Sequence, residues 1–330
     1  MRTSQREQVY AQINAMMSDG LKRSHAIRRY AQQTRRPIDS IRRDFNEFLR
    51  LQAKALKDTL SQTREAALEQ IRDRHELLTV MHLCDVHFPF QHPPALELAY
   101  QMVKLHQPQI VVIGSDEFDL DLMSSFDADA TSWDETPDII DALRALHHNH
   151  VDRIRAAAPN AVLLFIDGNH EDRYRRWVNS NAPKLRNTLN QAWVDMITYH
   201  GQVYHVGARE VEICNALIVR HGDRHNIHAA KSLIEQEGYQ VSVIAGHTHR
   251  PQEYHAQGRR YGVVGATSGC LSTLTPKYLH GKPSNWKHGT AIARVHHPTG
   301  CVTVENVTFI EEKRHMLAIT GNQLLRTHTA

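Results

Sequence analysis

From Leu77 onward, the sequence alternates short apolar runs with longer stretches of helical periodicity. Apolar runs of about four to eight residues are typical of buried strands, and helical segments between them are typical of crossovers between parallel strands. This alternation predicts an α/β domain. The first five predicted strands cover residues 77–84, 109–114, 161–166, 216–220 and 241–246. Three further runs, which have no long helix between them and therefore predict antiparallel pairing, cover residues 261–269, 290–297 and 302–309.

Residues 1–75 have continuous helical periodicity, which is interrupted at Gly20 and Pro37. The pattern predicts three helices, near residues 5–18, 22–33 and 38–73. This segment carries 16 Lys and Arg against 9 Asp and Glu, a net charge of +7, whereas residues 76–330 carry 23 against 27, a net charge of −4. We therefore predict two domains, a basic all-α module over residues 1–75 and an α/β domain over residues 76–330.

The composition argues against a membrane-spanning, secreted or disulfide-rich protein. Of 330 residues, 41% are hydrophobic and 23% are charged, and no apolar run approaches the roughly 20 residues that span a bilayer. The N-terminus has no secretory signal pattern, so we expect a cytoplasmic protein without a membrane partner. The four cysteines are widely separated and form no CxxC pair, which argues against a disulfide framework and predicts buried, reduced thiols.

Each of the first five predicted strands is followed by polar residues that can bind a metal ion. The chain contains 24 histidines, and histidine is the commonest transition-metal ligand in proteins. The carboxyl ends of strands meet at one edge of an open α/β sheet, so these residues should converge. The convergence predicts a metal site. In chain order the clusters are Asp85-Val86-His87, Asp116-Glu117-Phe118-Asp119, Gly168-Asn169-His170-Glu171, His221-Gly222-Asp223 and Gly246-His247-Thr248-His249.

Taken in this order, the five clusters resemble the signature of the calcineurin-like metallophosphoesterases of bacteria and phages, over about residues 78–310. That signature is D-x-H, GD-x-x-D, GNH-E/D, an isolated H and GH-x-H. The resemblance implies a four-layer α/β/β/α sandwich. One departure is Ser115, which separates Gly114 from Asp116, although the Asp-x-x-Asp spacing to Asp119 is intact.

The resemblance implies two metal ions that share the carboxylate of Asp116. The first ion would be bound by Asp85, His87, Asp116 and His249. The second ion would be bound by Asp116, Asn169, His221 and His247. Glu117 and Asp119 are alternatives for the shared carboxylate, and His225 and His228 are alternatives to His221. Mixed oxygen and nitrogen ligands suit Mn, Fe or Zn, of which we expect Mn.

The resemblance also implies how a phosphoester would be cleaved. The nucleophile would be a hydroxide that bridges the metals. His170 would protonate the leaving group or stabilise the transferred phosphoryl group, with its ring oriented by Asp119. Arg173 and Arg250 would bind phosphate oxygens. Five other histidines are expected on the surface or in loops: His147, His148, His150, His296 and His297.

The basic module resembles a helix-turn-helix. Residues 22–33 are followed by an Arg35-Arg36-Pro37 turn, and residues 40–45 are similar to the start of a recognition helix in winged-helix repressors. We predict that Arg42 and Arg43 bind DNA phosphates. No winged hairpin follows, and the alternative is an arm that joins subunits into a homo-oligomer.

A basic module beside a phosphoesterase domain favours a phosphodiesterase or nuclease that acts on DNA. One alternative is a phosphomonoesterase for phosphoproteins or nucleotides, because GNHE also occurs in the protein-phosphatase branch, although the GD-x-x-D-R-G extension of that branch is missing. A second alternative is a non-catalytic DNA-binding or assembly protein with a relic metal site. The presence of every ligand position and of His170 argues against it.

Overall fold

The computed structural model describes residues 2–18, 21–123, 139–224, 226–258, 260–276, 284–313 and 315–328. Contacts between Cα atoms divide the chain into two units, Met1–Ala66 and Ala67–Ala330. Three helices begin the chain: α1 (Arg2–Ser18), α2 (Arg23–Thr34) and α3 (Ile38–Arg74). Because α3 continues past residue 66, its last two turns belong to the second unit.

The first unit has its own apolar core, in which Tyr10 of α1 stacks on Phe45 of α3 with ring centroids 5.5 Å apart. Helix α2 ends at Thr34 because Arg35 adopts a left-handed backbone conformation with φ of 51°, and α3 starts directly after Pro37. The buried apolar residues of this core are Val9, Ile13, Ala26, Ile27, Ala31, Ile41 and Phe45.

The second unit is a mixed α/β structure with several sheets. Its helices are α4 (Pro93–His106), α5 (Ile139–Ala157), α6 (Glu171–Asn181), α7 (Arg186–Thr198) and α8 (Ala229–Gln236), with a short 3-10 turn at Asp121–Met123. Its strands are β1 (Leu77–His82), β2 (Ile110–Gly114), β3 (Val162–Ile166), β4 (Tyr204–His205), β5 (Glu210–Ile213), β6 (Leu217–Arg220), β7 (Ser242–Ala245), β8 (Gln252–Gln257), β9 (Gly262–Thr267), β10 (Gly289–His296), β11 (Cys301–Thr308), β12 (Ile310–Glu312), β13 (His315–Thr320) and β14 (Gln323–His328).

These strands form three sheets. The orders are β11-β10-β1-β2-β3-β4, β5-β6-β7-β9-β8 and β12-β13-β14. Strands β1 to β4 pair in parallel, and β10 and β11 extend that sheet in antiparallel pairing, as predicted. The prediction of antiparallel pairing was incomplete for β9. This strand forms a hairpin with β8 but also lies parallel to β7, because it inserts between the two.

One apolar cluster contains residues from both large sheets, such as Val80 and Ile110 from the first sheet and Val219 and Ile244 from the second. Leu68, near the end of α3, packs in the same cluster. A second cluster joins the alternate residues of β1 to β3 to helices α4, α5 and α7, and a third joins α8 to β6 and β7. No helix within the described residues is long and apolar enough to cross a membrane.

Two expectations about individual residues were wrong. His147 and His150 are fully buried on α5, where His147 Nδ1 lies 2.7 Å from Glu117 Oε1 and His150 Nδ1 lies 2.8 Å from the Tyr100 hydroxyl. The hydrogen-bond partners of these rings lie 30 and 50 residues away in the sequence, so the local pattern did not show them. The four cysteines are free thiols, as predicted, but Cys214 is only half-buried and Cys301 is exposed.

Candidate metal centre

The polar clusters follow the carboxyl ends of strands in the two large sheets. Asp85 and His87 follow β1, Asp116 follows β2, and Asn169 follows β3. His221 follows β6, and β7 leads to His247 and His249. The segment after β1 continues beside the segment after β2, since the backbone N–H groups of Asp85 and His87 donate to the carbonyls of Ser115 and Asp116.

The backbone is unusual at five of the predicted metal ligands. All five have positive φ angles, which are uncommon for residues other than glycine and concentrate at functional sites. The surrounding hydrogen bonds and packing must compensate the cost of this conformation, which is of the order of 1–3 kcal/mol for each residue. The angles are 53° for Asp85, 52° for His87, 68° for Asp116, 71° for His247 and 56° for His249.

The first ligand cluster consists of Asp85, His87 and His249, whose ligand atoms lie within 4.8 Å of one another. The Nε2 atoms of His87 and His249 are 3.3 Å apart, and His249 Nε2 is 3.3 Å from Asp85 Oδ1. All three side chains are buried. The backbone N–H of His247 donates to both carboxylate oxygens of Asp85, which fixes this carboxylate.

The second ligand cluster consists of Asp116, His221 and His247. His221 Nε2 lies 3.5 Å from Asp116 Oδ2 and 2.7 Å from Asn169 Oδ1, so the structure brings the predicted amide ligand to the same place. The Ser115 hydroxyl lies 2.8 Å from His221 Nδ1. The serine that departs from the family pattern thus orients the ring of His221.

Two of the alternatives to these ligands, Glu117 and His228, belong to neither cluster. Glu117 is buried against His147 and accepts a hydrogen bond from the backbone N–H of Gly114. His228 is exposed at the start of α8, and His225 lies outside the described residues. Asp116 is grouped with the second cluster, and its sharing between two ions stays a prediction.

A third group contains His87, Asp119 and His170. The carboxylate of Asp119 lies 3.1 Å from His87 Nδ1 but 3.8 Å from His170 Nδ1. His170 Nδ1 instead donates to the backbone carbonyl of Asp119, at 2.6 Å. The carboxylate of Asp119 therefore orients His87, and its carbonyl orients His170, which differs from the predicted arrangement.

Arg173 lies beside this group. Its guanidinium donates to His170 Nε2 at 3.0 Å, to the carbonyl of Asp119 at 2.8 Å and to Asp121 Oδ1 at 2.8 Å. The predicted phosphate-binding arginine is thus positioned next to the predicted non-ligating histidine. Arg250 follows the last ligand directly and is half-buried.

Glu171, to which the sequence pattern gives no role, is fully buried. Its carboxylate accepts hydrogen bonds from the backbone N–H groups of Asp116, Glu117, Phe118 and Gly168, at 2.6 to 3.2 Å. It thereby joins the segment after β2 to the segment after β3. In the sequence, Glu171 is marked only as the acidic residue that follows Gly168-Asn169-His170 in the motif. That position does not show which four backbone N–H groups the carboxylate binds.

The charges of the centre favour a bound cation. Burial alone would raise the pKa of the Asp116 carboxyl, but His221, His170 and His87 lower it to about 2. The pKa of Asp85 is also lowered, against the effect of burial, by His249, His221 and His87. Burial lowers the pKa of His170 to about 4, so its ring is neutral at pH 7. Charged carboxylates beside histidine nitrogens form a donor set that suits a divalent transition metal.

The pKa of His249 is shifted upward, because the ring lies beside negatively charged groups. Burial acts to lower the pKa of its ring, but Cys270 and Asp85 raise it well above its usual value. A proton between His249 and Asp85 balances the buried negative charge, and a metal cation between the same two atoms would do the same.

The predicted DNA contacts lie in the first unit. Arg42 is exposed and pairs with Asp39 at 3.0 Å on the same helix. Arg43 lines a polar cavity together with residues of α1 and of the turn before α3.

No protein-family profile and no curated protein sequence matches the chain. Among solved structures it is similar to a single mutant of Vps29 from Entamoeba histolytica, with a TM-score of 0.35 and 11% identity over 77% of this chain and 100% of that one. It is also similar to Vps29 from Chaetomium thermophilum, with a TM-score of 0.33 and 6% identity over 76% of this chain and 97% of that one. With TM-scores this low, we draw nothing about function from either likeness.

Proposed function

We propose that this protein is a metal-dependent phosphoesterase of the calcineurin-like metallophosphoesterase type found in bacteria and phages. The observation that carries the proposal is the convergence of carboxylates and imidazoles from separate segments of the chain into two neighbouring clusters, in which every side chain is buried except the half-buried His247. The two-sheet core, with helices packed against the outer face of each sheet, supports the four-layer α/β/β/α arrangement of that family.

In this proposal Asp85, His87 and His249 hold one divalent ion, while His221, His247 and Asn169 hold a second. Asp116 is the shared ligand of this proposal: its carboxylate lies 3.5 Å from His221 Nε2, and the hydrogen bond from the His87 backbone N–H to its carbonyl keeps the residue beside the first cluster. Two divalent ions, with Mn as our first choice, supply Lewis-acid activation of the phosphoryl group and of a water molecule.

The protein's own side chains would orient the metal-binding histidines and transfer a proton to the leaving group. The carboxylate of Asp119 orients His87 through Nδ1, and the hydroxyl of Ser115 orients His221 through Nδ1. His170 Nδ1–H is held by the carbonyl of Asp119, so Nε2 of the neutral ring carries no proton of its own. Once Arg173 shifts to a phosphate oxygen, Nε2 would take up the proton released by the attacking water and pass it to the leaving-group oxygen. When Arg173 binds a phosphate oxygen, it would no longer donate to His170 Nε2, so phosphate binding would free this nitrogen for proton transfer.

For the substrate we propose a phosphodiester in DNA, which would make the protein a nuclease. The support is the net charge of +7 over residues 1–75 and the exposed arginines there, since Lys and Arg contacts to phosphates supply most sequence-independent affinity. A cytoplasmic location agrees with this substrate and stays a prediction.

The test combines metal analysis with a panel of substrates. The purified protein, supplied with Mn²⁺, is offered single-stranded DNA, duplex DNA, RNA, a phosphopeptide and bis(p-nitrophenyl) phosphate. We expect about two bound ions per chain and hydrolysis of DNA and the chromogenic diester. A matched control is His255→Ala, which removes an exposed histidine that pairs with Glu253 outside both clusters.

The other outcomes separate the alternatives. Hydrolysis of the phosphopeptide alone would assign a phosphomonoesterase. Bound metal without hydrolysis of any substrate would assign a relic site. If no ion binds, in purified protein or after addition of Mn²⁺, the proposal is wrong.

A further inference from the structure

The first unit contains a cavity of about 390 Å³ that is lined only by polar side chains. α1 contributes two of them, the turn before α3 contributes one, and the first two turns of α3 contribute three. The lining residues are Gln5, Arg6, Arg36, Ser40, Arg43 and Asp44. Three guanidinium groups face one carboxylate, so the cavity has a formal charge of +2.

Internal contacts fix one of the three arginines. Arg36 donates to the Ser40 hydroxyl at 3.2 Å and forms an ion pair with Asp44, and its side chain is only 26% exposed. This pair uses the single negative charge of the cavity. Within the described part of the chain, Arg6 and Arg43 have no ion pair, so their charge is available to a ligand.

We propose that this cavity binds a phosphate group of a nucleic-acid backbone, with Arg6 and Arg43 as the binding cations and Arg36 as the group that holds Ser40 and Asp44 in place. Guanidinium groups offer forked donors that match phosphate oxygens. The inference depends on the proposed action on DNA only for the source of the phosphate.

Two observations favour a polymer over a small phosphorylated molecule. Further arginines of the same unit, Arg28, Arg29 and Arg35, are exposed and would meet other phosphates of one strand. Of the two arginines that the sequence pattern predicts to contact DNA, Arg43 lines the cavity, whereas Arg42 is paired with Asp39 and does not line it. The structure thus gives Arg42 and Arg43 different environments, although the sequence pattern does not distinguish them.

This difference allows a test variant inside the cavity to be compared with a control variant outside it, both in the full-length protein. The test variant is Arg6→Gln with Arg43→Gln, and the control is Arg42→Gln. The binding of a fluorescein-labelled duplex of about 20 base pairs is measured by anisotropy over a range of KCl concentrations. Because each phosphate contact adds about 0.9 to the slope of log K against log salt, we expect the test variant to lose nearly two units of slope. The control should keep the slope of the wild type.

Two further arms make the outcome decisive. The variant Arg6→Lys with Arg43→Lys keeps the charge but not the fork, so it should keep the salt slope and bind more weakly. Titration with inorganic phosphate, followed by calorimetry, tests the isolated group. Phosphate binding that the test variant abolishes, without any change in DNA binding, would overturn the nucleic-acid source and assign a free phosphorylated ligand.

An unchanged slope and unchanged phosphate binding in the test variant would overturn the site, as would an equal loss in Arg42→Gln. Hydrolysis of bis(p-nitrophenyl) phosphate should be the same in every variant. That measurement separates failure of this site from failure of the proposed phosphoesterase, because the metal clusters contain none of these arginines.

Discussion

The two units of the chain use charged residues in opposite ways. In Ala67–Ala330, the acidic and histidine side chains of the two candidate ligand clusters are buried, except for the half-buried His247, and five of them have a left-handed backbone conformation. In Met1–Ala66, exposed arginines such as Arg28, Arg29 and Arg42 surround a small apolar core. A buried charge acts through specific partners at short distance, whereas exposed charges act through their number and are screened by salt. The two units should therefore respond differently to the same kind of substitution.

The largest expected effect is the loss of a ligand from the buried centre. His87→Ala and His247→Ala should each lower hydrolysis of the chromogenic diester by roughly 10⁴-fold, because several kcal/mol of metal-derived stabilisation are removed. Each variant should also deplete a different ion, measured by mass spectrometry, while duplex DNA binding is kept. Two retained ions in both variants would contradict the division of ligands between the clusters.

His170→Ala should lower turnover by about 10²- to 10⁴-fold and leave both ions bound, since this is the usual scale for a general acid. The ring lies next to the ligands but is held by the carbonyl of Asp119 and by Arg173. Metal content and turnover are measured on the same sample. A lost ion would show that His170 is itself a ligand.

The stability of the α/β unit should depend on pH through His150, a buried histidine that belongs to neither ligand cluster. Burial lowers the pKa of His150 from 6.5 to about 4. Below pH 6.5 the histidine binds a proton in the unfolded chain but stays neutral in the folded chain until about pH 4. The free energy of unfolding is therefore highest above pH 6.5 and decreases as the pH falls from 6.5 to about 4. The loss is about 3 kcal/mol.

Guanidinium unfolding between about pH 7 and about pH 4, followed by tryptophan fluorescence, measures this loss in the α/β unit, which contains all four tryptophans. His150→Gln, which can keep a hydrogen bond to Tyr100, should flatten the profile by the same amount. In the first unit the sole histidine of the sequence, His25, is exposed. A profile that His150→Gln leaves unchanged would refute the assignment.

Glu171→Gln should lower metal affinity or activity about 10- to 100-fold, the usual range for residues that position metal ligands. The substitution keeps the size of the side chain but replaces one of the two acceptor oxygens that hold the backbone N–H groups of Asp116, Glu117, Phe118 and Gly168. A Mn²⁺ titration of activity should show weaker metal binding that excess Mn²⁺ partly restores. Loss of activity with unchanged Mn²⁺ dependence would assign Glu171 a purely structural role.

The smallest effect on hydrolysis is expected from removal of the first unit. Deletion of residues 1–66 should weaken DNA binding and flatten its salt dependence, yet leave hydrolysis of the chromogenic diester within about twofold, because every ligand lies beyond residue 84. The cut is placed at 66 because Leu68 and Ile71 pack in the core of the α/β unit. Unchanged DNA affinity would instead favour the alternative in which the long third helix joins subunits.

Features that depend on neighbours along the chain could be predicted from the sequence alone. The apolar runs predicted β1, β2, β3, β6, β7, β9, β10 and β11, because strand and helix periods are properties of short segments. The same runs placed an Asp or His cluster at the end of each early strand, and the general convergence of strand ends brought these clusters to one region.

The meeting of distant segments became visible only in the folded chain. There, β9 inserts between β7 and β8, His147 is buried against Glu117, and Ser115 contacts His221, which is 106 residues away in the sequence. Arg43 lines a cavity with Arg6, while Arg42 lies outside it. These outcomes depend on packing and hydrogen bonds between residues far apart in the chain, and such contacts leave no period or spacing that a linear sequence displays.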